Sequence, residues 1–201
     1  PLNALGMGLQ RLQLEGDELR DEHRRLVGLM MDAIHRANRS VSGLLNYARP
    51  QMPNRKSTRL DMLVKRTLAL YLPRCEELRI KVTQSIDLKE TISADPELLG
   101  QVIENLLRNA IEAQPEGGFL HLNVGRKERE VYLKVENGGS TLSAEETGRI
   151  FEPYFTTKAE GTGLGLTISQ RIIQAHEGRL EVHRPEAGIF EIAVYLPLTE
   201  N

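Results

Sequence analysis

Two asparagines, Asn105 and Asn109, lie four residues apart in an amphipathic segment and are the first candidates for chemistry. The segment from Asp95 to Ala113 is predicted to be a helix, because Asp95 can cap its first turn and Pro96 suits that turn. Residues four apart share one helix face. An amide oxygen is a neutral ligand suited to Mg²⁺, and an amide nitrogen can donate to a phosphate oxygen. Taken alone, the pair fits a solvated helix face equally well.

A second candidate is the glycine-rich run from Gly161 to Leu166, which leads directly into a predicted helix. Glycines let backbone N–H groups approach phosphate closely, and a helix N-terminus favours negative charge. The run does not follow a predicted strand, as a dinucleotide-binding turn would. It ends the long segment from Gly138 to Gly165, and a loop of that length is usually a lid or a disordered segment. The sequence therefore predicts a phosphate-binding lid here.

The segment Arg149–Lys158 precedes the glycine-rich run and contains several aromatic residues. We interpret these aromatic side chains as packing residues that also anchor the lid to its domain. Lys158 is placed to meet phosphate charge, and a solvated surface lysine is the alternative.

The elements that must position these residues can be predicted from periodicity. Helices are expected at Leu60–Leu78, Asp95–Ala113 and Leu166–His176. Strands are expected at Ile80–Ile86, Thr91–Ser93, Leu120–Val124, Val131–Val135, Arg179–Val182 and Phe190–Leu196. This order predicts an α/β sandwich, in which helices cover one face of a mostly antiparallel sheet.

The first 49 residues differ, because their apolar residues recur at near-heptad spacing with a break near residues 15–17. A helical hairpin with so narrow a stripe has little core of its own. We expect it to bury the stripe in a dimer as a four-helix bundle, and packing on its own chain is the alternative. Pro50 and Pro53 end the helix. The predicted fold is thus α+β, with a dimerisation hairpin at 1–49, a linker at 50–57 and a second domain at 58–201.

Composition argues against several classes of protein. The chain has 201 residues and a net charge of −2, which argues against a nucleic-acid binder. No apolar run approaches the roughly 18 residues of a membrane span, and no signal peptide is visible. The single cysteine, Cys75, cannot form an internal disulfide. We therefore expect a cytoplasmic protein, and the start at Pro1 suggests a fragment.

The asparagine pair, the segment Arg149–Lys158 and the glycine-rich run follow one another along the chain. In this order and spacing, they resemble the N, F and G2 boxes of bacterial sensor histidine kinases. That family belongs to the ATPase superfamily of DNA gyrase, the mismatch-repair protein MutL and the Hsp90 chaperones. Gln101-Val102 and the run Phe151–Lys158 are similar to the nitrogen-regulation class of these kinases. The first residues, Pro1–Leu5, resemble the segment that follows the phosphoacceptor motif. The resemblance covers essentially the whole chain.

The resemblance implies ATP and Mg²⁺ as cofactors, with the second domain as the catalytic ATP-binding domain. Asn109 would be the Mg²⁺ ligand. Asn105, its polar neighbour near the phosphates, and Lys158, which reaches the terminal phosphates, would be the catalytic residues. The nucleotide-binding residues would be Asn105, Asn109, Asn137, Gly139, Lys158, Gly161, Thr162, Gly163, Leu164 and Gly165.

The chain departs from the family at the box that normally reads Asp-x-Gly-x-Gly and contacts adenine. Asn137 stands where the aspartate is expected, and Thr141 stands where the last glycine is expected. An asparagine oxygen accepts the adenine hydrogen bond without charge, so we expect ATP binding to be weaker by about 1 kcal/mol. Thr141 takes a positive φ only at a cost, so the entrance to the lid is expected to differ in shape.

The resemblance further implies transfer of the γ-phosphoryl group of ATP to a histidine that lies upstream of Pro1. This chain is therefore expected to be unable to phosphorylate itself. The expected partners are a second copy of the chain and the receiver domain of a response regulator. An upstream sensor domain, membrane-anchored or not, is also expected.

Two alternatives stay open: an ATPase clamp of the same superfamily, and a kinase-like scaffold with impaired nucleotide binding. Gyrase-like members place a hydrolytic glutamate where this chain has Asn105. Glu104 is adjacent but rotated by about 100° on the helix, which favours a kinase over an ATPase.

Overall fold

The structure, a computed structural model, describes residues 5–9, 11, 23–34, 37, 52–158 and 161–198. The chain divides into two compact units, one formed by residues 1–50 and 154–164 and the other by residues 51–153 and 165–201. In the first unit, residues 5–9 and 23–34 are helical, as predicted. The predicted turn at 15–17 and the predicted helix end near residue 49 lie outside the described residues. None of the described helices is both long and apolar enough to cross a membrane.

The second unit contains all the strands and the remaining helices of the described residues. The helices are α1 (Leu60–Glu77), α2 (Pro96–Glu112), α3 (Ala144–Arg149) and α4 (Gly165–Ala175). The strands are β1 (Lys56–Thr58), β2 (Lys81–Ile86), β3 (Ile92–Ala94), β4 (Phe119–Lys127), β5 (Glu130–Asn137), β6 (Arg179–His183) and β7 (Phe190–Pro197). The three predicted helices and six predicted strands are thereby confirmed, with ends that differ by a few residues.

Five strands form one sheet in the order β2-β4-β5-β7-β6, and β1 pairs with β3 in a separate two-stranded sheet. In the large sheet, β2 and β4 are parallel and every other pair is antiparallel. The predicted α+β class with a mostly antiparallel sheet is therefore confirmed.

One face of the large sheet is apolar and is covered by helices. Leu122 of β4 lies opposite Val135 of β5, which lies opposite Ile192 of β7, and all three side chains are buried. Helices α1, α2 and α4 pack against strands of this sheet, and α2 packs between α1 and α4. Burial of alternate strand residues stabilises the layer, at about 25 cal/mol for each Å² of apolar surface removed from water.

Asp95 fixes the start of α2, the helix that carries the two candidate asparagines. Its side chain accepts hydrogen bonds from the backbone N–H groups of Glu97 (2.9 Å) and Leu98 (3.2 Å). It also accepts from the N–H of Asn54 (2.8 Å), which holds the chain before β1 against this helix. The predicted cap and the predicted position of Pro96 in the first turn are both confirmed.

Two elements were not predicted. Helix α3 lies inside the segment from Gly138 to Gly165, which we expected to be a loop throughout. Its start is fixed by a capping box, in which Ser143 and Glu146 exchange side-chain to backbone hydrogen bonds. Strand β1 lies at the end of the predicted linker, where Lys56 pairs with Ala94.

Candidate functional site

The centre of the candidate site is the contact between α2 and the first residues of α4. Asn105 is buried on α2, and its Nδ2 donates to Oγ of Ser169 on α4 (3.0 Å). Its Oδ1 accepts from Nη2 of Arg108 (3.0 Å). Gly165, the first residue of α4, lies so close that an added Cβ would be 2.4 Å from Oδ1 of Asn105. The sequence therefore needs a glycine at 165 for this contact.

Asn109 follows Asn105 by four residues on α2 and is half-buried. A neutral amide oxygen in such a position suits Mg²⁺, which keeps most of its ligands as water and phosphate oxygens. The nearby first turn of α4 contains no acidic residue. Backbone N–H groups at a helix N-terminus favour a negative charge, so the donor set fits Mg²⁺ together with a polyphosphate.

Asn137 ends the central strand β5 on the face of the sheet that the helices cover. It is buried, and its Nδ2 donates to the carbonyl oxygen of Gly138 (2.8 Å). Gly139 follows with a φ of +75°, and an added Cβ would lie 2.8 Å from Cδ of Pro115. This turn therefore packs directly beyond the C-terminus of α2. Thr141 is not among the described residues with positive φ, so the strain considered for it does not arise.

The described residues 154–158 and 161–164 of the first unit are joined to one another by hydrogen bonds. Tyr154 has a φ of +68°, and its N–H donates to the carbonyl oxygen of Gly163 (3.0 Å). Within the loop, the N–H of Gly161 donates to the carbonyl oxygen of Lys158 (3.1 Å), whose own N–H donates to Oγ1 of Thr156 (3.1 Å). Lys158 is half-buried. These bonds connect the described residues on either side of positions 159 and 160 within the candidate lid.

Of the other candidate residues in this segment, Leu164 is buried and Thr162 is half-buried.

Glu104 points away from the candidate asparagines. Its carboxylate accepts a long hydrogen bond from the hydroxyl of Tyr71 on α1 (3.4 Å). Burial and the Glu104 carboxylate both raise the pKa of Tyr71, which keeps the hydroxyl protonated as the donor. The rotation of Glu104 predicted from the helix period is therefore seen in its contact with α1.

The structure brings some predicted residues together and adds two that the sequence did not single out. Asn105 contacts Gly165, and Asn137 and Gly139 share the turn beyond α2. Ser169 and Arg108 hold the Asn105 amide but were missed. The spacing of Ser169, four residues after Gly165 on one helix, was the only signal for it, and its partner is 64 residues away.

Comparisons with known proteins identify the family of this chain. A family model described as the histidine kinase-, DNA gyrase B- and HSP90-like ATPase matches residues 94–200. The sensor histidine kinase ZraS of Escherichia coli O157:H7 is 33% identical over 200 residues, which are 98% of this chain and 43% of that protein. The chain thus spans less than half the length of this relative.

Solved structures give the same result. The nucleotide-free catalytic domain of the histidine kinase ThkA is 30% identical, with a TM-score of 0.68, over 73% of this chain and 99% of that one. ThkA in complex with the response regulator protein TrrA is 22% identical and shares the fold, with a TM-score of 0.77 over 98% of this chain and 58% of that one. The chain belongs to the sensor histidine kinases and carries their catalytic, ATPase-type domain.

Proposed function

We propose that this chain binds Mg·ATP and directs its γ-phosphoryl group to a histidine that lies outside these 201 residues. The observation that carries the proposal is the contact between Asn105 and Gly165. This contact holds the helix that carries Asn109, the proposed metal ligand, against the first turn of α4, the proposed phosphate-binding helix end.

Each candidate residue has a separate task in this proposal. Asn109 would hold Mg²⁺, which neutralises charge on the phosphates when it is bound. Backbone N–H groups at the start of α4 would bind phosphate oxygens, and so would those of residues 161–164. Lys158 would meet the terminal phosphates, and Asn137 would accept a hydrogen bond from the adenine amino group. Catalysis would consist mainly of positioning and charge neutralisation.

The position of Glu104 supports a kinase over an ATPase clamp. Hydrolysis needs a base that activates water beside the γ-phosphate. The position used for that base in gyrase-like proteins is Asn105, which is buried and bonded to Ser169. Glu104 faces Tyr71 on α1. The site therefore suits transfer to a separate nucleophile, and steady-state hydrolysis by this chain alone should be close to background.

Calorimetric titration with Mg·ATP tests the nucleotide site. We expect Asn109→Ala to weaken Mg·ATP binding by at least about tenfold, which corresponds to about 1.4 kcal/mol. Without Mg²⁺ the wild-type protein and the variant should bind ATP similarly, because the lost group contacts the metal. Asn123→Ala is the matched control, since Asn123 lies on β4, on the face of the sheet opposite the helices. Equal effects of the two substitutions would contradict the role of Asn109.

Labelling with γ-³²P-ATP tests the transfer. We expect no acid-labile, alkali-stable label on this chain, and label on a longer chain that adds the upstream residues. The label should then move to an aspartate of a receiver domain. The structure of ThkA with a response regulator supports a partner of this kind. Label on any of the five histidines of this chain would contradict the proposed position of the acceptor.

A further inference from the structure

We propose that Ser169 is a positioning residue, which acts through Asn105 to hold the first turn of α4 at the distance from α2 that polyphosphate binding requires. The inference rests on the proposed function. It concerns a residue to which the proposed function assigns no contact with the nucleotide or the metal.

The geometry of the contact leaves little freedom. Ser169 and Asn105 are 2% and 6% exposed, and their side chains are joined by a hydrogen bond of 3.0 Å. An added Cβ on Gly165 would lie 3.1 Å from both Cγ and Nδ2 of Asn105. The amide of Asn105 therefore occupies the space that a side chain at 165 would need. Ser169 lies one turn further along α4 and holds the amide from the next turn.

The polar groups fix the direction of the amide. A guanidinium only donates, so Arg108 must face the oxygen of Asn105. The nitrogen of the amide then points to Ser169, whose hydroxyl is its acceptor. A buried donor without an acceptor is costly, so removal of this hydroxyl should displace the amide or α4.

Such a displacement affects one part of the nucleotide more than the other. Asn109 and the N–H groups of α4 are proposed to bind the metal and the phosphates, and their spacing depends on the contact between Asn105 and Gly165. Asn137, which is proposed to bind the base, lies at the end of β5 and is held by Gly138 instead. Loss of Ser169 should therefore weaken binding of the phosphates and leave binding of the base unchanged.

The test compares Mg·ADP with adenosine by calorimetric titration of the full chain. We expect Ser169→Ala to weaken Mg·ADP binding by about tenfold, the effect of one buried hydrogen bond. Adenosine binding should change by less than about twofold, which also shows that the variant is folded. Ser169→Cys keeps a weak acceptor of similar size and should fall between wild type and Ser169→Ala. Thr67→Val is the matched control, because it removes a buried hydroxyl that bonds only within α1.

A double-mutant cycle strengthens the test. Asn105→Ala and Ser169→Ala break the same hydrogen bond, so their effects on Mg·ADP binding should not multiply. Multiplying effects would overturn the inference, and so would an equal loss of Mg·ADP and adenosine binding in Ser169→Ala. A wild-type protein that binds neither ligand would overturn the proposed function itself. A wild-type protein that prefers Mg·ADP, with the preference kept in Ser169→Ala, would overturn only the role of Ser169.

Discussion

Gly163 has both a positive φ, which favours glycine, and a neighbouring backbone too close for any side chain. Its φ is +64°, and an added Cβ would lie 2.3 Å from the carbonyl carbon of Tyr154. Gly163→Ala should therefore open the hydrogen bond between Tyr154 N–H and the Gly163 carbonyl, at a cost of at least about 1 kcal/mol. Hydrogen exchange at the Tyr154 amide measures the opening, and Mg·ATP affinity should fall with it.

Gly148 supplies the control for Gly163. It lies in α3, with no atom within 4 Å of an added Cβ. Gly148→Ala should be neutral or stabilising by up to about 1 kcal/mol, because alanine loses less freedom in a helix. If both alanine variants leave the hydrogen exchange of the Tyr154 amide unchanged, the hydrogen bond between Tyr154 and Gly163 does not depend on the close packing of Gly163.

Asn137 illustrates how a buried amide differs from the aspartate expected in this family. Asn137→Asp would place a carboxylate oxygen where Nδ2 now donates to the carbonyl oxygen of Gly138. We expect the nucleotide-free protein to lose about 1–3 kcal/mol of stability, because a buried hydrogen bond is replaced by repulsion. Thermal unfolding without ligand measures this loss.

The same substitution should have the opposite effect on ATP. A charge-assisted hydrogen bond to the adenine amino group should tighten binding by about fivefold, as a charged acceptor is stronger. Calorimetric titration measures the affinity at a temperature where the variant stays folded. An unchanged affinity would mean that residue 137 does not contact the base.

At the residue scale, local spacing predicted some features and not others. The interval between Asn105 and Asn109 and the run of glycines are local, so the sequence alone identified them. The hydroxyl of Ser169 bonds to an amide 64 residues away, and no pattern in either helix specifies that pairing. The same holds for the carbonyl of Gly138, which satisfies Asn137 only in this backbone turn.

At the scale of elements, the cap of α2 makes a pH-dependent contribution to stability. Burial opposes ionisation of Asp95, but the N–H groups of Asn54, Leu98 and Glu97 outweigh it, so the pKa of Asp95 is lowered. A lowered pKa stabilises the folded state above the unfolded value of about 3.9, and the contribution is lost as pH falls through the folded value.

Asp95→Asn tests this contribution. It should lower the free energy of unfolding at pH 7 by about 1 kcal/mol, since the amide makes a weaker cap for three donors. The difference from wild type should shrink as the pH falls below about 4, because Asp95 takes up a proton first in the unfolded chain and only at a lower pH in the folded one. Urea unfolding across that range measures both effects. A difference that stays constant with pH would show that the charge of Asp95 adds nothing.

The elements missed from the sequence are those with few local signals. None of the six residues of α3 is buried, so no apolar periodicity marks it, although Ser143 and Glu146 have the spacing of a capping box. Strand β1 has three residues and depends on pairing with β3, which follows only after α1 and β2. The longer elements were predictable because their buried faces repeat in the sequence.

At the scale of the whole molecule, several contacts hold the start of the second unit in place. Arg55 donates to the carbonyl oxygen of Ala175 (2.9 Å) and pairs with Glu177 (2.7 Å) at the end of α4. His176 is buried, with Nδ1 bonded to the carbonyl of Ile172 and Nε2 accepting from the N–H of Asp95. The sequence predicted a linker up to residue 57, and these side-chain contacts could not be read from it.

The first unit leads to a prediction about assembly. Within the described helix of residues 23–34, Leu26, Leu29 and Met30 are 45%, 56% and 52% exposed. Full burial of such side chains is worth about 1.5–3 kcal/mol each, so a second copy of this helix offers a large gain. We therefore expect the chain to be a dimer at micromolar concentration, held by its N-terminal helices.

Substitutions on that helix test the dimer by sedimentation equilibrium. Leu29→Glu combined with Met30→Glu should give a monomer, because two charges would be buried without partners in the interface. Met62→Glu is the control, since Met62 is equally exposed (58%) but lies on α1 in the second unit. Its variant should remain a dimer. If both variants are monomers, or if both remain dimers, the interface does not lie on the N-terminal helices. A kinase that phosphorylates within a dimer would in that case need a different surface to bring the acceptor histidine to the nucleotide.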